Sequence, residues 1–155
     1  MQIRSEVRTL TIRQWCDMVE AGNSIPVNIQ LHGYSMQPLV RRLRDTVTIV
    51  PLKRPLKRGD VVLFQRRDDT YVVHRVWKLR ENQVQTMGDN VRSADAWISV
   101  DAVLGLVTHV KRGGCRFCID TTIWRTLGRA WLTIHPLRKG LRCVLGGIKR
   151  RIRRR

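Results

Sequence analysis

The sequence has no apolar run that could cross a bilayer. Its longest, around Ala102 to Val110, falls well short of the roughly 20 residues a spanning helix needs. Met1 to Leu10 alternates charged and apolar side chains, so a secretory signal is not expected and a cytosolic location is. Cysteine is sparse, with four residues at irregular positions, which argues against a disulfide framework and for reduced, partly buried thiols. Cys115-Arg116-Phe117-Cys118 is a lone C-x-x-C. The partners it would need, among His109, His135 and Cys143, form no second ligand pair at finger spacing, so neither a metal nor any other cofactor is expected. No internal repeat is present, and no acidic residue follows Asp120.

What is present is positive charge. Thirty Lys and Arg stand against 12 Asp and Glu, a net +18, and the chain ends in Lys149, Arg150, Arg151, Ile152, Arg153, Arg154 and Arg155. Such a balance implies an anionic partner and says nothing of fold. A length of 155 residues accommodates one packed core and a short appendage.

Along the chain, Ile12, Trp15, Cys16 and Val19 recur at helical spacing over Thr11 to Ala21, and Gly22-Asn23 reads as the helix stop. The pattern then becomes short runs rich in Val, Ile, Thr and Tyr: Val27 to Leu31, Thr46 to Val50, Val61 to Gln65, Tyr71 to Lys78, Val84 to Met87, and Ile98 to Val110. Turn residues close them at His32-Gly33, Pro51 through Gly59-Asp60, Asp68-Asp69, Glu81-Asn82 and Gly88-Asp89-Asn90. From Thr121 the period is helical again, with Trp124, Leu127, Trp131 and Leu132, a break at His135-Pro136, and a second basic amphipathic segment. The expected fold is mainly β, a catalytic β domain over residues 1–120 with a short N-terminal helix, followed by a basic amphipathic helical extension over 121–155. That extension fits two readings equally: a helix on an anionic membrane, anchored by Trp124, Trp131 and Arg150, Arg151, Arg153, Arg154 and Arg155, or a helix packed on the β body with a solvated cationic face.

The residues that could carry chemistry begin with His32-Gly33-Tyr34-Ser35-Met36-Gln37-Pro38, which leaves a strand and enters a turn, presenting a small hydroxyl at the rim of the sheet. A serine needs a base to become a nucleophile. The candidate is His74, in a strand whose alternation sets Val72, His74 and Val76 on one face and Tyr71, Val73 and Arg75 on the other. Imidazole titrates near about 6.5 and is available as a neutral base. Taken singly, a strand histidine and a Gly-x-Ser are each more often structural.

Together they form part of an ordered series: Ser35-Met36-x-Pro38, Arg58-Gly59-Asp60-Val61-Val62, His74-Arg75-Val76, Gly88-Asp89-Asn90, and Val103-Leu104-Gly105-x-Val107. In order and approximate spacing this series resembles signal peptidase I, over about Val27 to Lys111. Histidine in place of the usual bacterial lysine is similar to the archaeal and endoplasmic-reticulum branch. The resemblance implies a serine endopeptidase cleaving leader or propeptides, with Ser35 as nucleophile and His74 as base. It also implies an aspartate beside the imidazole, with Asp95 the first choice and Asp89 the second. Each acid has a plainer alternative, a turn former for Asp89 and a loop carboxylate for Asp95. The backbone N–H of Ser35 is the implied oxyanion donor. Tyr34 stands where many relatives carry a serine, so that side-chain donor is missing here. Met36 reads as the apolar anchor of the serine turn.

The implied partner is an extended peptide docked as an added strand, with an anionic membrane surface as a second. Nucleic acid is disfavoured, because the β body lacks an aromatic stacking platform. Two other readings remain. The same blocks occur in self-cleaving SOS-repressor peptidases, and Ala21-Gly22 resembles their cleavage site, although it lies much closer to Ser35 than in that family and the base there is lysine. The third reading is an inactive binding protein that uses its basic tail on nucleic acid or membrane.

Overall fold

The computed structural model describes residues 12–134 with the exception of Ser24. Helix α1 (Ile12–Glu20) is followed by strands β1 (Val27–Gln30), β2 (Asp45–Pro51), β3 (Val61–Gln65), β4 (Tyr71–Arg80), β5 (Gln83–Met87) and β6 (Trp97–Ser99). A single 3₁₀ turn (Val100–Ala102) leads to β7 (Val103–Arg112), β8 (Cys115–Cys118) and helix α2 (Thr122–Thr133). The architecture is mainly β. The eight strands form one antiparallel sheet in the order β1-β2-β7-β3-β4-β5-β6, with β8 paired to β7.

Local chemistry accounts for the elements. Helix α1 ends where Gly22 takes φ +86°, a value that suits glycine, while its N–H bonds the Val19 carbonyl and that of Asn23 bonds Met18. The expected run Ile98 to Val110 is interrupted, because the Ser99 hydroxyl accepts the Asp101 N–H and caps a 3₁₀ turn between β6 and β7. Strand β8 was hidden inside the C-x-x-C segment. Gly113-Gly114, with Gly113 at φ +58°, is the two-residue loop that folds Cys115 back opposite Arg112. Cys115 and Cys118 are consequently exposed on a peripheral strand, and the expectation of partly buried thiols is corrected for both; Cys16 is half-buried.

Two apolar clusters hold the sheet. The alternation of β4 sends Tyr71 and Val73 to one, with Trp15, Met36, Ile49 and Val110, and sends Val72 and Val76 to the other, with Phe64, Val84 and Leu106. Trp15 is almost wholly buried, and its indole N–H donates to the Ile25 carbonyl at 2.7 Å. The ring passes over Gly105, where a Cβ would stand 2.8 Å from Trp15 Cη2 and 2.7 Å from Ile49 Cγ2. Removing such a ring costs about 3–5 kcal/mol, so α1 belongs to the core.

Helix α2 is capped by Thr121, whose hydroxyl accepts the Trp124 N–H at 3.3 Å. It packs on the β body at three points. Trp124 stacks on Phe117 of β8, Gly128 sits over the Arg75 guanidinium, and the Trp131 indole N–H donates to the Asp89 carbonyl at 3.0 Å. Among the described residues no helix is long and apolar enough to cross a membrane. The second amphipathic segment and the terminal arginines lie outside the described residues.

Candidate active site

Chain geometry presents Ser35 at the open end of a turn anchored on both sides. The Met36 side chain is buried in the first apolar cluster, the Val40 N–H bonds the Met36 carbonyl, and Gln37-Pro38 is a cis peptide. From the opposite side Asn90 holds the turn, its N–H donating to the Ser35 carbonyl at 2.7 Å and its side-chain amide to the Tyr34 carbonyl at 3.3 Å. Among the described residues neither the Ser35 hydroxyl nor its N–H has a protein partner.

His74 sits on β4, 3% exposed, with its ring 6.2 Å from that of Phe64. Its Nδ1 is 2.6 Å from Asp95 Oδ2. A carboxylate can only accept, so Nδ1 carries the proton and Nε2 presents its lone pair. That nitrogen points toward Gly88, where a Cβ would lie 3.0 Å from Nε2 and 2.8 Å from the Ser35 carbonyl oxygen. A side chain at position 88 would collide with both the imidazole and the backbone of the Ser35 turn, so glycine there lets the two approach the same point.

Asp95 is held at several points. Thr86 Oγ1 donates to Oδ2 at 2.7 Å, Arg66 Nη2 to Oδ1 at 2.5 Å, the Asp95 N–H bonds the Thr86 carbonyl, and the Gln85 amide reaches the Asp95 carbonyl. Burial pushes its carboxyl up, but the hydrogen bonds from His74 and Thr86, the charge of His74 and the bond from Arg66 outweigh this and hold it at about 2. The carboxylate thus remains ionised beside the imidazole.

Asp89, the alternative acid, does not face His74. It makes a two-pronged ion pair with Arg75, Nε to Oδ1 and Nη2 to Oδ2 both at 2.8 Å, with the two side chains almost fully buried. The remaining guanidinium nitrogen donates to the Gly59 carbonyl at 2.8 Å. A Cβ at Gly128 would lie 2.2 Å from Arg75 Nη1, so α2 closes over this pair. The expected orienting role of Asp89 is corrected accordingly. It works at one remove, fixing the turn from which Asn90 holds Ser35.

Trp124 and Trp131 are half-buried and engaged with Phe117 and the Asp89 carbonyl, as a helix packed on the β body requires. The large apolar residues exposed on α2 and at its C-cap are Ile123 at 71%, Leu127 at 55% and Ile134 at 47%. Arg150, Arg151, Arg153, Arg154 and Arg155 lie outside the described residues. No group of three His, Cys, Asp or Glu side chains suited to a metal exists among the described residues.

Three contributors were not singled out from the sequence: Thr86 and Arg66, which fix Asp95, and Arg75, which takes Asp89. Thr86 lies on β5 opposite Val76, where a buried hydroxyl is a usable signal for a nearby polar partner. Arg66 starts the β3–β4 turn, and its reach to Asp95 has no local signature.

Ser35 and His74 line a groove of about 510 Å³ with Ile29, Leu31, Tyr71 and Val73. One wall is β1, which pairs only with β2 and leaves its other edge unpaired among the described residues. A free strand edge beside a serine and an oriented imidazole suits an extended backbone. Compared with known families and with curated proteins, the chain finds no match: no family model fits it, and no curated protein resembles it closely enough to count.

Proposed function

We propose that this chain is a serine endopeptidase of the signal-peptidase-like kind that cleaves extended leader or propeptide segments laid along β1. The observation that carries the reading is the ordered contact His74 Nδ1 to Asp95 Oδ2 at 2.6 Å, which turns Nε2 toward Gly88 and the Ser35 turn. In this reaction the Ser35 hydroxyl transfers its proton to Nε2 as Oγ attacks the scissile carbonyl carbon. Asp95 stabilises the resulting imidazolium, and the Ser35 N–H receives the oxyanion. Collapse of the tetrahedral species breaks the C–N bond, and His74 returns the proton to the departing amine. Water activated by the same imidazole then attacks the acyl-serine ester, releasing the acid product and restoring Ser35.

Labelling by a serine-directed acylating probe tests the pair. Modification of Ser35 is expected in the full chain, with a fall of about 10³-fold or more in His74→Ala. A folded wild-type protein that takes up no label, or a His74→Ala protein that labels equally well, rejects the reading.

Association with an anionic membrane surface belongs to the same proposal, but through different residues from those first expected. Ile123, Leu127 and Ile134 recur along one side of α2 and are exposed, and the sequence continues into a strongly basic segment. Flotation of the full chain with anionic vesicles, lost in Ile123→Ser/Leu127→Ser, is the expected result. Equal flotation of that variant, or none by wild type, removes this part.

A further inference from the structure

Beyond the nucleophile turn lies a second depression of about 610 Å³, and the charged side chains lining it are all arginines: Arg41, Arg42, Arg44 and Arg112. Tyr34, Gln37 and Asn90 also line it; Tyr34 precedes Ser35 in the chain and Asn90 bonds the Ser35 carbonyl, so the depression flanks the nucleophile turn. Among the described residues one carboxylate reaches these guanidinium groups, and it reaches two of the four. Asp45, fully buried behind them, accepts from Arg112 at 2.7 Å and more weakly from Arg41 at 3.4 Å. Arg42 is held by neutral oxygens, its Nε donating to the His32 carbonyl at 2.6 Å and Nη1 to the Tyr34 hydroxyl at 2.8 Å. Arg44 is exposed, and its guanidinium has no hydrogen-bond or ion-pair partner among the described residues. Burial pushes the Asp45 carboxyl up, but its bonds from Arg112 and Arg41 outweigh this and hold it below the ordinary carboxylate range, so it stays charged and balances one arginine. Positive charge in excess is left facing the depression.

We propose that this depression binds an acidic segment of the peptide whose backbone passes Ser35, on the side of the scissile bond away from the apolar groove. The inference rests on the peptidase reading and adds a substrate class to it: peptides with an apolar stretch on one side of the cleaved bond and Asp or Glu on the other. Guanidinium forks match carboxylates in pairs. The chain's own terminus, Lys149 to Arg155, has the wrong sign to occupy the site. A nucleic acid would want bases stacked on open rings. Here one face of the Tyr34 ring is taken by the Arg42 guanidinium at 4.9 Å, and the Trp131 indole is tied to the Asp89 carbonyl.

The test uses full-length Ser35→Ala protein and two fluorescein-labelled twelve-residue peptides. They share an apolar alanine, leucine and valine half; one continues in glutamate and aspartate, the other in serine and glutamine. Fluorescence anisotropy is expected to show the acidic peptide binding about tenfold tighter or more at low salt, with the advantage shrinking as salt is raised. Adding Arg41→Gln and Arg44→Gln is expected to remove that advantage. Arg44→Glu alone, at an exposed position, gives the same readout in part if the double variant fails to fold. A preference that persists in both variants comes from elsewhere on this basic chain and overturns the proposal, as does the absence of any preference. Loss of single-stranded oligonucleotide or anionic-vesicle binding in the variants, with acidic-peptide binding intact, overturns it in favour of those ligands. Cleavage by the chain with Ser35 intact is read separately. Arginine-dependent binding without cleavage keeps the acidic site and removes the peptidase; cleavage without the preference does the reverse.

Discussion

His74 and Arg75 are consecutive on β4, each 3% exposed, and each bonded to an aspartate of the segment that follows β5. The two pairs nevertheless serve different ends. His74 lines a groove with Asp95 bonded behind it, and the outer nitrogen of the imidazole lies against Gly88, where a Cβ would crowd it. Arg75 and Asp89 lie under α2, with Gly128 against the guanidinium and Trp131 bonded to the Asp89 backbone. A group that exchanges a proton is useful only where a reactant can reach it. A permanent cation paired to a carboxylate can only hold structure together, and does so best when sealed from water. Under the proposed function, alternation along one strand separates a reactive pair from a supporting pair by a single residue.

Substitutions at the two aspartates should separate these roles most sharply. Asp95→Asn is expected to lower the Ser35 acylation rate by about four orders of magnitude, because the amide no longer enforces the Nδ1–H tautomer, while the fold survives. Rate measurement beside a melting curve checks it; a rate within tenfold of wild type would remove Asp95 from the mechanism. Asp89→Ala should do the opposite. Leaving Arg75 buried without its partner costs about 3–5 kcal/mol, a fall in Tm of about 10 °C or more, with the acylation rate per folded molecule changing far less than in Asp95→Asn.

Acid distinguishes the pairs further. Asp95 has a folded-state value of about 2, below the ordinary carboxylate value of about 3.9, so its contribution to stability is complete above that ordinary value. The contribution, about 2 kcal/mol, is lost as pH falls from about 4 through about 2. Denaturant titrations across this window should show a slope in wild type that is shallower in Asp95→Asn. Parallel slopes would mean that the His74 contact does not depress the carboxyl.

The smallest effect belongs to Gly128→Ala. In an open helix the change would stabilise by about 1 kcal/mol. Here the new methyl meets the Arg75 guanidinium, which is tied to Asp89 and Gly59, so a loss of about 1–2 kcal/mol is expected. A rise in Tm would show that α2 does not press on the supporting pair.

Much of this organisation is carried by local sequence. Period-two runs bounded by Gly, Asp, Asn and Pro mark six strand regions, because a half-buried strand must alternate its side chains and a tight turn must use residues that tolerate its dihedrals. Ser35 at a turn, His74 within a strand and Asp95 beyond the Gly88-Asp89-Asn90 turn are readable as candidates for the same reason. The register of β7 against β2 and β3 is a different kind of fact, as are the choice between Asp89 and Asp95 beside His74, the reach of Arg66 to Asp95, and the inward turn of Trp124 and Trp131. Each joins residues far apart along the chain, and such contacts are selected by the packing of whole elements. At 88 and at 128 a glycine leaves room for the His74 imidazole and the Arg75 guanidinium. Those choices follow from close approach in three dimensions, whereas the elements themselves follow from the conformational preferences of neighbouring residues.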